Sequence, residues 1–447
     1  MFGFNYKIEG VLKEMRFRFL KKQLFFLLIA LSFCQNASAE LNLSLDNSII
    51  LALKNDPFLQ AVEAQKEQAV WGVKEAKSNK GISLDYQHTD MRSTAPHTWQ
   101  ATLEAVPTYN YYSNELSANI PLYTGGRIES TIDQAKLSLN ASELEIDAIK
   151  QKLKLETELK YYEALKAKSV LEIAHQMVDN FNQHLNNVQQ MYNVGVVPWH
   201  DVVQTKVRMA NAENNLVKAQ SDYDLSIRSL NKTMGLPLDT DIKLLDVLGY
   251  QKYDLNLEEM TAEGLENRPE MAQQEIAVKI QEKQMNIARS AQRPDVRIRG
   301  TMAWDDDDFA GTDNRDWTAM LTLKQNIFDS GSTDAKIKAA KSGIVSAQNI
   351  QQQTRDNIAL EISEACLNMR KAEKRITTNK VAIEEANVNL DISQKSYSAG
   401  IDTNLDVMDA ELALDQAKTN YIDSLYDYNA SKAKLDRAVG KKVEIED

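Results

Sequence analysis

The chain has little that bends or cross-links a protein: 16 glycines, 8 prolines and 2 cysteines among 447 residues. Long stretches hold neither glycine nor proline, which argues against many small turn-punctuated domains and for long helices. Five histidines (His88, His97, His175, His184, His200) never stand three or four apart. No zinc spacing, P-loop, nucleophile elbow or dinucleotide fingerprint accompanies them, so neither an enzyme nor a metal or cofactor site is expected. After Phe33 no apolar run approaches eighteen residues, so no later transmembrane helix is expected and any membrane span must be a β-barrel.

What is present begins with an export signal. A basic start (Arg16, Arg18, Lys21, Lys22) leads to an apolar run, Leu24 to Phe33, and then to Ala37-Ser38-Ala39 before Glu40. Residues 1–39 therefore read as a secretory leader, with Met15 an alternative start. Phe33 is too bulky for a lipobox, so lipidation of Cys34 is not expected. Loss of the leader removes six basic and two acidic side chains, leaving 46 against 62 and a formal charge of −16. Nucleic acid is an unsuitable partner for such a surface. Cys366 is then the sole cysteine, placed in a helical run and expected to be buried.

The remainder is written twice. A shift of 205 lays Leu122-Tyr123-Thr124-Gly125-Gly126 on Ile327-Phe328-Asp329-Ser330-Gly331. The same shift pairs Tyr192 with Tyr397, Gly195 with Gly400, Asp201-Val202 with Asp406-Val407, and Gly235 with Gly440. Upstream, Asn55-Asp56-Pro57 answers Asn267-Arg268-Pro269 at a shift of 212. The expected units are 40–235 and 262–440, with a segment 236–261 between them and a tail 441–447. Helices are expected over about 127–192 and 332–398, each about 100 Å long, flanked by helices over about 46–79 and 199–234 that stack end to end. Apolar residues such as Leu405, Met408 and Leu412, with Ala410, Ala413 and Ala417, suit close helix packing.

Between the helices the hydrophobic period falls to two. Ile82, Leu84 and Tyr86 alternate with polar neighbours, as do Leu116, Ala118, Ile120 and Leu122. So do Val296, Ile298, Met302 and Trp304, and Trp317, Ala319, Leu321 and Leu323. Four amphipathic strands of about ten residues suit a membrane barrel, and four cannot close one, so several copies must combine. A trimer would supply twelve strands and room for a pore. Trp99, Trp304 and Trp317 suit an aromatic girdle at the outer rim, and the run Asp305 to Asp308 reads as a solvated loop.

These pieces together resemble the TolC family of outer-membrane factors across nearly the whole mature chain. The resemblance is carried by Asn55-Asp56-Pro57 and Asn267-Arg268-Pro269-Glu270 opening a helix in each half. The strand exit Pro121-Leu122-Tyr123-Thr124-Gly125-Gly126 and the tips Tyr192–Val196 and Tyr397–Ile401 add to it, as does Asn404-Leu405-Asp406-Val407-Met408-Asp409-Ala410. It implies a mainly helical α and β homotrimer: a twelve-stranded barrel in outer-membrane lipid above a twelve-helix periplasmic tunnel. The implied role is a passive exit duct for a tripartite efflux pump or type I secretion system, opened by a periplasmic adaptor and driven by an inner-membrane pump of RND or ABC type.

The resemblance also implies roles for residues. Asp406 and Asp409, three apart on one helical face, would line the closed gate; the competing reading is a solvated first turn that complements the helix dipole. Asp201 would hold the tip shut, with Tyr397, His200 or Lys206 as its partner. Val194, Gly195, Val196, Ala399, Gly400 and Ile401 would receive the adaptor, and Pro121, Gly125, Gly126 and Gly331 would turn strand into helix. A rival reading is a periplasmic coiled-coil structural or adaptor protein without a pore.

Overall fold

The computed structural model describes residues 41–93, 109–309, 311 and 314–443. The leader with its cleavage junction, Cys34, Trp99 and residues 444–447 lie outside the described residues. The first half runs β1 (Leu41–Leu43), α1 (Leu45–Asn55), α2 (Pro57–Ser78), β2 (Ser83–Ser93), β3 (Tyr109–Thr124), α3 (Arg127–Asn193) and α4 (Trp199–Thr233). The second runs β4 (Ile242–Leu244), α5 (Leu257–Asn267), α6 (Pro269–Ser290), β5 (Asp295–Asp306), β6 (Asn314–Lys324), α7 (Ser332–Ser398) and α8 (Asn404–Ala438).

The helices match in length: 11 residues for α1 and α5, 22 for α2 and α6, 67 for α3 and α7, 35 for α4 and α8. One expectation needs correction, because the helix over 46–79 is two helices. Proline at 57 has no N–H to continue α1 and its ring forces the preceding residue out of the helical region, so Asp56 is extended (φ −65°, ψ 119°). Its carboxylate then accepts from the backbone N–H of Leu59 at 2.6 Å and caps α2. Arg268 and Pro269 break the second half in the same way.

Each shorter long helix ends where such a break begins. The Asn55 amide donates to the Met234 carbonyl at 3.1 Å, and a Cβ on Gly440 would sit 3.0 Å from the Arg268 nitrogen. Thus α4 and α2 line up as one stave beside α3, and α8 and α6 as another. Helix α8 packs against both α3 and α7, whereas α4 packs chiefly against α3. The largest core cluster lies at mid-height. There Leu43, Ile242 and Leu244 of the parallel pair β1–β4 meet Tyr161, Ile362, Met369 and Leu435 of the long helices, with Cys366 buried among them.

The other four strands form one antiparallel sheet in the order β2-β3-β5-β6. Register puts Leu84, Ala118, Gly300 and Ala319 in one row, Tyr86, Leu116, Met302 and Trp317 in the next, and Ile120, Ile298 and Leu321 in a third. These rows share one face. Asp85, Ser117, Thr301 and Thr318 share the other, as do Glu115 and Arg299, which pair at 3.0 Å. No helix covers the apolar face: Leu84, Tyr86, Trp317 and Leu321 are 61–79 % exposed.

Candidate functional site

The candidate site is the end of the bundle farthest from the sheet, where α3 turns into α4 and α7 into α8. Both turns close the same way. The Gly195 N–H donates to the Tyr192 carbonyl and Val196 N–H to Met191; Gly400 donates to Tyr397 and Ile401 to Ser396, all at 2.9–3.0 Å. Both glycines are left-handed (φ 79° and 74°), so the backbone, not a side chain, satisfies the last carbonyls of each long helix. The turns push apolar side chains into solvent, with Val194, Val196 and Ile401 at 75, 64 and 78 % exposure. Ala399 stands exposed beside Gly400.

The two turns are tied together by a polar cluster under an apolar one. Asn404, 2 % exposed, accepts at its amide oxygen from His184 Nε2 at 2.7 Å, which fixes the proton of the neutral ring on that nitrogen. Its amide nitrogen donates to the Thr205 hydroxyl at 3.1 Å and to the Asp201 carbonyl at 3.2 Å. Val188, Val202, Tyr397 and Val407 pack over this cluster. Burial lowers the His184 pKa, so the ring is neutral there at physiological pH. Sequence reasoning passed over this cluster. The available signal was Asn404, a polar residue inside the family-like run whose repeat mate is Trp199.

Among the residues expected to act, Tyr397 and Asp201 do come together. The phenol donates to the Asp201 carboxylate at 3.5 Å, which is long, and burial, aided by that charge, pushes the phenol up to about 12. His200 has no partner at Asp201, and Lys206 lies over the Trp199 ring at 5.4 Å. Asp406 is occupied at the start of α8: its carboxylate accepts from the Thr403 hydroxyl at 2.6 Å and the Thr403 N–H at 2.9 Å. These bonds hold it below its ordinary pKa. Asp409 is on the same exposed face, within 3.5 Å of Arg208 on α4.

A second feature lies one to two turns above. Glu411 and Asp415, 2 % and 8 % exposed, fall in the apolar stripe of α8 with Val407 and Leu414, and each has one carboxylate oxygen without a hydrogen-bond partner. Burial, reinforced by the Asp415 charge, pushes Glu411 up to about 7; burial pushes Asp415 up to about 6. Their spacing, i and i+4 within an apolar stripe, was the readable signal. At the opposite end Pro121 sits beyond the last β2 partner, next to a bulge at Leu122, and Gly125, Gly126 and Gly331 are left-handed, as is Ser330 (φ 54°).

A family model described as "Outer membrane efflux protein" matches residues 49–236 and 262–441. The chain is 21 % identical over 416 residues to the outer membrane protein TolC of Escherichia coli K12, covering 86 % of this chain and 80 % of that protein. It is 23 % identical over 400 residues to the alkaline protease secretion protein AprF of Pseudomonas aeruginosa, covering 86 % and 82 %. In fold it matches the crystal structure of the Campylobacter jejuni CmeC outer membrane channel with a TM-score of 0.79 at 16 % identity, covering 89 % of this chain and 85 % of that one.

Proposed function

The chain belongs to the outer membrane efflux protein family, its place is the outer membrane, and from that premise we propose that it is a passive exit duct built from three copies. The observation that carries this reading is the sheet. Its apolar face has no protein cover and its edge strands β2 and β6 are unpaired, which lipid on one side and neighbouring copies at the edges would satisfy together. Three copies give twelve strands and, with α2–α4 and α6–α8 as stacked staves, twelve full-length helical staves. The two halves, 40–235 and 262–440, are then copies of one unit, and 236–261 with the described start of the tail, 441–443, forms a belt at mid-height, where Lys441 donates to Tyr253 at 3.0 Å.

In this assembly the tips face the periplasm. Val194, Gly195, Val196, Ala399, Gly400 and Ile401 receive a periplasmic adaptor that couples the duct to an inner-membrane pump. Threefold symmetry gathers Asp406 and Asp409 from each copy into a ring of six carboxylates, and Asp201 with Tyr397 holds the tip helices in the closed arrangement. Such a ring attracts cations, so the duct should be cation-preferring and plugged by multivalent cations from the periplasmic side.

Single-channel recording in planar bilayers tests this. The double variant Asp406→Ala/Asp409→Ala should conduct more than wild type, with block by divalent and trivalent cations weakened at least tenfold. An assembled variant with unchanged conductance and unchanged block would move the gate elsewhere, leaving Asp406 only its capping bonds to Thr403.

A further inference from the structure

The foot of the sheet carries charge that the exit-duct reading leaves unused. A groove of about 690 Å³ lies where β3, β5 and β6 meet the helices, within the size range of small-molecule sites. Its floor is apolar, with Ile287 and Ala288 of α6, Ala291 just after it, and Ala339 and Ala340 of α7. Its rim holds Arg127, Arg293, Lys324 and Lys336, all exposed. Among the described residues the side-chain cations of Arg127, Lys324 and Lys336 make no ion pair or hydrogen bond, and the Arg293 guanidinium donates only to the Gly125 carbonyl at 3.2 Å. The one acid on the lining, Asp295, is held by both Nε and Nη2 of Arg297 at 2.5 and 3.0 Å and also feels the charges of Arg127 and Lys324, so one carboxylate, already paired, faces four rim cations.

Two further observations give this groove a direction and a specificity. Thr124, Asp295 and Lys324 are register partners on the polar side of the sheet, opposite the lipid-facing rows, so the groove opens toward the interior of the duct. The chain is also written twice, and the repeat mates of the four cations are Ser332, Gly81, Asn119 and Thr131, none of them charged. A basic rim that merely kept the transition soluble would be expected in both copies. It occurs in one, over an apolar floor.

We propose that this groove is an anion subsite in the duct wall, taking amphiphilic organic anions: an apolar body on the alanine-lined floor and a carboxylate, sulfonate or phosphate among the four cations. The assignment of the groove to the interior rests on the exit-duct reading. Occupancy would raise the local concentration of anionic cargo just where the tunnel enters the barrel, in a protein whose net charge otherwise repels it.

The test uses the full chain in lipid nanodiscs and two fluorescent probes sharing an apolar body, 8-anilinonaphthalene-1-sulfonate and its uncharged analogue N-phenyl-1-naphthylamine, with empty discs subtracted. Wild type should bind the sulfonate saturably. Lys324→Gln/Lys336→Gln should raise its Kd at least tenfold and leave the uncharged probe unmoved, and Lys324→Arg/Lys336→Arg should restore sulfonate binding. Equal binding of the sulfonate by wild type and the Gln variant, or equal affinity for both probes, overturns the subsite. Sulfonate block of single-channel current, weakened in the Gln variant, then reports on location. Probe binding without any conductance by wild type would sink the duct reading and leave the anion site standing.

Discussion

The hairpins α3–α4 and α7–α8 have identical helix lengths and close on the same glycine turn, yet their second helices live in different surroundings. Helix α8 lies between α3 and α7 and buries Val407, Met408, Leu414 and Leu425; α4 leaves Val203, Val207, Val217 and Leu225 43–66 % exposed. The other outer helix, α7, likewise exposes Val345, Leu360, Leu367, Val381 and Val388. One seam of the repeat, α3 against α8, closes inside the chain. In the proposed three-copy duct the other seam, α7 against α4, would close against a second copy, and the inner seam shows how it should look. In the enclosed helix Glu411 and Asp415 stand where α4 has Lys206 and Ala210.

The sharpest way to break the comparison is to neutralise the acid that only the inner helix carries. Glu411 is pushed from 4.5 to about 7 and Asp415 from 3.8 to about 6, so between roughly pH 4 and 7 the native state holds more protons than the unfolded chain. Stability then falls as pH rises through that window. Glu411→Gln should therefore stabilise the tip by about 3 kcal/mol at pH 8 and by only a few tenths near pH 4.5. Hydrogen-exchange protection of the α8 amides, corrected for intrinsic rate, reads this directly. A gain of the same size at both pH values would mean that packing, not charge, limits the site. The equivalent variant in α4, Lys206→Gln, should show no pH-dependent gain.

A second contrast sets matched turn positions against each other. Gly125 is left-handed (φ 65°), and a Cβ there would lie 2.6 Å from the Ser290 carbonyl oxygen and 2.9 Å from the Arg293 Cβ. Gly125→Ala should cost about 2–3 kcal/mol, combining the left-handed penalty with the overlap. Its mate is already a serine at φ 54°, so Ser330→Gly should gain up to about 1 kcal/mol instead. Denaturant midpoints of the two variants should move in opposite directions, and movement in the same direction would mean that the two strand exits are not equivalent in the assembled protein. Next in size is Asn404→Ala, which strands the His184 N–H, leaves the Thr205 hydroxyl only its bond to the Asp201 carbonyl, and should cost about 2 kcal/mol. Trp199→Ala at the repeat mate removes no such bond.

Most of the scaffold was legible because it rests on local rules: absent prolines made the long helices, period-two runs made the strands, and four glycine turns ended the helices. The ends of α7 and α8 needed nothing beyond the chain itself. The helix over 46–79 was misread because apolar periodicity runs through Pro57, and the lost N–H outweighs periodicity at a single residue. The site was less legible. The gate reading of Asp406 said nothing of its capping bonds to Thr403, a choice made by a rotamer that residue order does not reveal. The buried cluster of His184, Thr205 and Asn404 draws on three helices, at separations of 199 and 220 residues between partners, so only packing brings it together.

The smallest expected effect is at Tyr397, and it bears on which contact holds the tips together. In one copy the phenol reaches Asp201 at 3.5 Å, beyond the usual range for a hydroxyl bond, while its ring packs on Val188, Val202 and Val407. Phenylalanine keeps the packing and loses only the long bond. Tyr397→Phe should therefore cost at most about 0.5 kcal/mol, well below Asn404→Ala, when both are read as tip protection by hydrogen exchange. If the contact tightens in the assembled duct, the order reverses in a different measurement: Tyr397→Phe would raise resting conductance in planar bilayers more than Asn404→Ala does. Equal conductance of Tyr397→Phe and wild type would assign the closed tip to the buried asparagine and take Tyr397 and Asp201 out of the latch.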